Sequence, residues 1–108
     1  MQKFVYYSDT RPVQASKGVT RRVLAYSDQL MAVEIKFEAG GIGEIHTHRQ
    51  DQVSYIVSGV FLYTNDGETK EVRAGDSLRF APGTEHGVTC IEAGTLLDVF
   101  TPLREDFL

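Results

Sequence analysis

The chain is poor in sulfur, in positive charge and in helical patterning. Its 108 residues include a single cysteine, Cys90. No internal disulfide is therefore possible, and the composition suits a reducing compartment. Structural zinc usually recruits several thiolates, so one thiol also argues against a closed zinc site. Lys and Arg number 11 against 15 Asp and Glu, a net charge of −4. Arg21 and Arg22 are the only adjacent basic pair, and without a basic stripe no nucleic-acid partner is expected. No apolar run approaches bilayer length, and no charged leader with an apolar core opens the sequence. No membrane role is expected, and the cytoplasm is the default location. No segment shows ten residues of convincing helical periodicity.

What is present is alternation. In LMAVEIKFEAG, Met31, Val33, Ile35 and Phe37 alternate with Ala32, Glu34, Lys36 and Glu38, the pattern of a half-buried strand. Val19–Tyr26, Val53–Val57, Val60–Thr64, Ser77–Phe80, Gly87–Ile91 and Thr95–Phe100 are further β-like runs, and the opening MQKFVYYSD also alternates. Turn signals separate them: Ala39-Gly40-Gly41, Ser58-Gly59, Asn65-Asp66-Gly67, Ala74-Gly75-Asp76, Pro82-Gly83 and Ala93-Gly94. The clearest hairpin is at Asn65-Asp66-Gly67. Apolar content of 42% and charged content of 24% are ordinary for a globular protein. The length suits one domain, residues 1–108, and the short strands with glycine turns predict an all-β sandwich or barrel. The tail after Pro102 is expected to pack back as a cap.

All three histidines fall in two of these segments: His46 and His48 in GGIGEIHTHRQDQVSYIVSG, and His86 in AGDSLRFAPGTEHG. Imidazole is the commonest metal ligand. On a strand, His46 and His48 share a face. Gln52 follows a short turn later, where the chain can double back and offer a fourth donor, with Asp51 the alternative. His86 arrives from a later strand after the Pro82-Gly83 turn. Such convergence predicts a metal site rather than scattered surface histidines. Cys90 shares parity with His86 and Val88; a small buried apolar role suits it better than ligation.

These two segments, with their glycines, resemble the motifs of the cupin superfamily, small β-barrels of jelly-roll type. Gly40, His46, His48, Gln52 and Gly59 fill the first motif, with glutamine in its acidic place. The second begins at Gly75-Asp76 and closes with Pro82-Gly83 and His86, with Cys90 where asparagine is usual. The resemblance implies a single-domain cupin, and its spacing to Gly59 favours Gln52 over Asp51. Three neutral imidazoles and an amide oxygen leave a bound ion's charge uncompensated. That favours polarising a substrate oxygen over oxygen chemistry, which uses His-carboxylate sets.

A second constellation lies in GTLLDVFTPLREDF, where Leu96, Asp98 and Phe100 share one strand face and Arg104 follows Pro102. Facing the lumen, Asp98 would be a buried carboxylate near the metal and a candidate for proton transfer. Facing outward, it would be an ordinary salt-bridge partner. Arg104 is placed to fold over the barrel mouth, and a guanidinium suits a bidentate grip on a carboxylate. With the metal residues, D-x-F-x-P-x-R is similar to the small cupins of the KdgF type. Those linearise 4,5-unsaturated uronates to 4-deoxy-5-keto acids in pectin and alginate breakdown. The resemblance implies a small-molecule unsaturated uronate as partner. It also implies metal ligands His46, His48, Gln52 and His86, catalytic Asp98 and Arg104, and substrate contacts from Phe100 and Arg104. One divalent ion is implied, with nickel, zinc, iron and manganese all compatible with the donors. The competing functions are a metal-dependent dioxygenase of a small organic acid and a non-catalytic sugar-binding cupin. A homodimer is expected, with strand-rich ends such as FVYY available for pairing.

Overall fold

The alternation along the chain becomes eight strands in a computed structural model, which describes residues 2–108. They are β1 (Val13–Ser16), β2 (Val19–Tyr26), β3 (Met31–Phe37), β4 (Ile42–His46), β5 (Asp51–Asn65), β6 (Glu68–Arg73), β7 (Ser77–Phe80) and β8 (His86–Thr101). The hydrogen-bonded order is β1-β2-β3-β8-β5-β6, with β4 added to β8 and β7 to β5. Every pairing is antiparallel.

Two pairs of runs that the sequence separates are single long strands. Val53–Val57 and Val60–Thr64 both lie in β5, while Gly87–Ile91 and Thr95–Phe100 both lie in β8. The Ser58-Gly59 and Ala93-Gly94 signals mark corners inside strands rather than turns between them. Register shifts cluster between Ile56 and Phe61, where Gly59 adopts φ +88°. A Cβ on Gly59 would lie 2.6 Å from the Gly94 Cα, and one on Gly94 would lie 2.1 Å from the Ser58 carbonyl oxygen. Only glycine permits this backbone approach. On one side of the corner the strands also pair with β3 and β7, on the other with β4 and β6.

The hairpin at Asn65 is as expected: Asn65 pairs with Glu68, and Asp66 and Gly67 both adopt positive φ, the signature of a type I′ turn. Its second strand, β6, and the strands β1 and β4 lack an apolar alternation strong enough to identify them from sequence. The opening segment departs from expectation. Residues 2–6 form no strand, and Tyr7–Asp9 is a 3-10 turn; Met1 lies outside the described residues. Side chains anchor this segment instead. Tyr7 donates from its hydroxyl to Glu34 at 2.8 Å, and the Arg22 guanidinium sits 4.4 Å from the Tyr7 ring.

Most of the apolar core gathers around Ile56, Phe61, Phe80 and Leu96, with Phe37 edge-on to Phe61 at 5.3 Å. A smaller cluster joins Met31, Val33, Phe100 and Leu103. Burial of each large side chain stabilises the fold by roughly 1.5–3 kcal/mol. The tail caps this second cluster as expected: Leu103 is buried, and Phe107 meets Phe100 edge-on at 5.8 Å. Gln50, itself buried, donates from its amide to the Leu103 carbonyl at 3.1 Å and so pins the tail to the β4–β5 loop. No helix among the described residues is long and apolar enough to cross a membrane.

Candidate metal centre

His46 ends β4, pairs across the sheet with His86 at the start of β8, and is followed after one residue by His48 in the loop to β5. The two histidines of the H-x-H therefore do not share one strand, as the sequence suggested; the strand stops at His46, and the loop turns His48 into the group. Ring centroids lie 4.4 Å apart for His46–His86, 4.8 Å for His48–His86 and 5.6 Å for His46–His48. One ligand nitrogen from each ring lies within 4.8 Å of the others.

The tautomers follow from the backbone. Nδ1 of His46 donates to the Glu44 carbonyl at 2.7 Å, that of His48 to Gln50 at 3.2 Å, and that of His86 to Thr84 at 2.9 Å. A carbonyl only accepts, so each Nδ1 carries the proton and each neutral ring presents an Nε2 lone pair. Carbonyls behind metal-binding imidazoles serve this orienting role. Nε2 of His86 is buried with no hydrogen-bond partner, a cost that a bound cation removes. Burial holds the His48 and His86 imidazoles below their usual range, His86 down to about 4. These two rings are consequently neutral near pH 7, as ligation requires.

Gln52 lies on β5 beside this group, 4% exposed, with Oε1 2.8 Å from Nε2 of His48. Ser54, fully buried one alternation further along, donates to Asp98 Oδ1 at 2.6 Å and accepts from the Gln52 amide nitrogen at 2.9 Å. That chain turns the Gln52 carbonyl oxygen toward His48. Two lone-pair atoms then face each other, an arrangement a cation satisfies and an empty space does not. The orphaned His86 nitrogen, the three aligned tautomers and this amide oxygen all fit a divalent ion. Asp51, the alternative donor, points elsewhere and receives the Arg79 guanidinium at 2.9 and 3.0 Å.

Asp98 faces inward, 4% exposed, opposite Ser54 in the β5–β8 register. Burial pushes its carboxyl up to about 6, against the opposing pull of hydrogen bonds from Ser54 and Gln52. Tyr63 is also buried, and its phenol is pushed far up by burial and then by the Asp98 charge. A cavity of about 360 Å³ brings together His46, His86, Gln52, Asp98, Phe100 and Arg104. Arg104 folds over this mouth as expected, its guanidinium 5.2 Å from the Phe100 ring and 4.2 Å from Phe107. Its fork is engaged, however: Nε and Nη2 donate to Asp106 at 3.0 and 2.9 Å. Cys90 sits in the apolar core and donates to the Glu92 carbonyl, away from ligation.

Ser54, Gln50, Tyr63 and Arg21 do not stand out in the sequence, although all contribute to or border this region. The signal for Ser54 was parity with Gln52 on β5.

Residues 33–100 match the cupin domain family. The chain belongs to the cupin family. Over 110 aligned residues it is 34% identical to pectin degradation protein KdgF of Dickeya dadantii (strain 3937), covering 100% of both chains. Among solved structures, KdgF from Halomonas sp. shares 32% identity and a TM-score of 0.92, again over 100% of both chains. An RmlC-like cupin from Shewanella frigidimarina NCIMB 400 shares 40% identity and a TM-score of 0.95, over 100% of this chain and 97% of that one. Every candidate site residue of this cupin lies within these full-length matches, and its all-β single domain is the cupin fold.

Proposed function

We propose that this cupin is a metal-dependent enzyme that opens the ring of 4,5-unsaturated uronate monosaccharides, giving 4-deoxy-5-keto-uronates in pectin or alginate breakdown. The observation that carries this is a buried carboxylate, Asp98, linked through Ser54 to Gln52 and sharing one cavity with His46, His86 and Arg104. Full-length similarity to a pectin degradation protein supports the substrate class.

His46, His48, His86 and Gln52 would hold one divalent ion: nickel, zinc, iron or manganese. When bound, it supplies Lewis acidity toward substrate oxygens, undiminished by any carboxylate ligand. Ring opening breaks the bond from C1 to the ring oxygen. The anomeric hydroxyl loses its proton as C1 becomes an aldehyde, the former ring oxygen leaves as the C5 enolate, and one proton delivered to C4 turns that enolate into a ketone. Atoms balance without a co-reactant. Asp98 moves protons in this exchange, taking one from the anomeric hydroxyl or delivering one to C4. A carboxyl near 6 suits work close to neutrality. Arg104 holds the substrate carboxylate, and Phe100 packs against the sugar and excludes water.

The test is to add unsaturated uronate monomer and follow loss of its ultraviolet absorbance, with and without chelator. Rapid loss that chelator stops and added metal restores is expected. A rate no faster than buffer overturns the proposal. We also propose a homodimer, supported by an exposed apolar row on β5, Val53, Tyr55 and Val57 at 45–50% exposure; sedimentation as a monomer at all concentrations removes that part. The buried, unpaired Cys90 fits a reducing compartment, so the cytoplasm is the proposed location.

A further inference from the structure

Arg21 stands at an inward register position on β2, between Val19, which is in the main core, and Val23, which packs on the second cluster. An arginine at such a position is costly unless its charge has a use. Its guanidinium lies 4.1 Å from the Phe107 ring, and Arg104 lies 4.2 Å from the same ring. Both arginines line the cavity that holds His46, His86 and Asp98. Two guanidiniums thus share one aromatic ring at the cavity mouth, and the Asp106 carboxylate lies beside them. Arg104 takes that carboxylate through two of its donors. Among the described residues, no carboxylate oxygen lies within 4 Å of Arg21 and no side-chain hydrogen bond is made by it. Burial of the guanidinium weakens its hold on its proton; the Asp106 charge opposes this, and the smaller effect of Arg104 adds to it. Arg21 therefore brings to the cavity a guanidinium whose planar donors are not taken up by any described side chain.

We propose that Arg21 is a second anion-gripping residue of this cupin, closing with Arg104 on the carboxylate of a bound uronate. This rests on the uronate reading of the site and deepens it. One guanidinium is already committed to Asp106, so the free fork of Arg21 supplies the bidentate contact and Arg104 adds its remaining donors. Phe107 holds both side chains in place through its ring face. The β2 arginine is invisible as a site residue in the sequence because it lies more than 80 positions from Arg104, and only the capping tail brings them together.

The test separates recognition of the carboxylate from turnover. D-galacturonate and D-galactose, which differ at the carboxylate, are titrated into nickel-loaded protein and followed by protein NMR, for the wild type, Arg21→Gln and Arg21→Lys. The wild type is expected to prefer galacturonate. Arg21→Gln is expected to lose about tenfold of that preference with galactose binding unchanged, and Arg21→Lys to recover part of it. A merely structural role would weaken both sugars alike, and thermal midpoints report any loss of fold. Preference that survives in Arg21→Gln, or that is absent from the wild type, overturns the proposal. Carboxylate preference that vanishes in Arg21→Gln, in a wild type without turnover of unsaturated uronate, upholds Arg21 and overturns the ring-opening function alone.

Discussion

The two halves of β5 alternate with the same period and bury opposite chemistry. Beyond the corner at Gly59, the inward residues are Phe61 and Tyr63, which join the apolar core. Before it they are Gln52 and Ser54, buried to 4% and 0% exposure, followed by Ile56. Burying an amide, a hydroxyl and the facing Asp98 carboxyl costs free energy that apolar side chains of similar size would not. The polar half is tolerated because its members satisfy one another, Gln52 to Ser54 and Ser54 to Asp98. One half of the strand holds the fold together, and the other spends stability to hold an oxygen and a carboxylate in place.

The sharpest way to break this division is Asp98→Asn. The amide keeps the shape but no longer carries protons, so turnover should fall by about 10²–10⁴-fold. Nickel affinity, measured by calorimetry, should stay within a few-fold of wild type. Activity surviving the change removes Asp98 from the chemistry. Next comes a pair read by denaturant unfolding and metal titration together. Phe61→Ala should cost about 3–5 kcal/mol of stability, leaving a cavity that the core cannot close, while metal affinity in the folded fraction is kept. Ser54→Ala should cost only about 1–3 kcal/mol yet weaken nickel binding about tenfold, because the Gln52 amide loses the acceptor that orients it. Equal effects on metal affinity from both variants would erase the distinction between the halves.

The apolar half was the more legible one. The runs read as β2, β3 and β7 coincide with the observed strands: β3 buries alternate residues, while Val19 and Phe80 anchor the other two in the main core. The segments read least well were those whose partners do the work. β1, with all residues exposed, and β6, nearly so, are strands because a neighbour offers hydrogen bonds, which no side-chain period announces. The opening FVYY alternates but finds no edge to pair with. At the site, His46, His48, Gln52, His86, Asp98, Phe100 and Arg104 were all named by type and spacing, and the structure brings them to one region. What could not be read was the second layer. Ser54 is an ordinary strand serine until Asp98 is placed opposite it, and the engagement of Arg104 by Asp106 depends on how the tail folds back. Long-range pairing, between β5 and β8 and between β2 and the tail, sets those contacts.

The smallest expected effect is a pH slope that the wild type largely hides. In the metal-free protein, folding raises Asp98 from 3.8 to about 6 and lowers His86 from 6.5 to about 4. Between these limits the unfolded chain has Asp98 ionised while the folded chain keeps it protonated, so folding takes up a proton and stability falls as pH rises from about 4 to 6. His86 has the opposite sign. The unfolded chain holds its proton below 6.5 and the folded chain does not until about 4, so that contribution is present above 6.5 and lost as pH falls. His48, also lowered by burial, adds to the histidine side. Asp51 and Asp106 are held below the usual carboxylate range, the first by Arg79 and the second by Arg104, so their contributions disappear only at more acidic pH. Each opposing slope amounts to at most roughly 3 kcal/mol, and together they should leave wild-type stability nearly flat from pH 4 to 6. Asp98→Asn should uncover a rise with pH over that window, and His86→Gln a fall. Denaturant midpoints taken across the window in the presence of chelator decide it, and parallel curves for wild type and Asp98→Asn would show that the carboxyl does not change its protonation there.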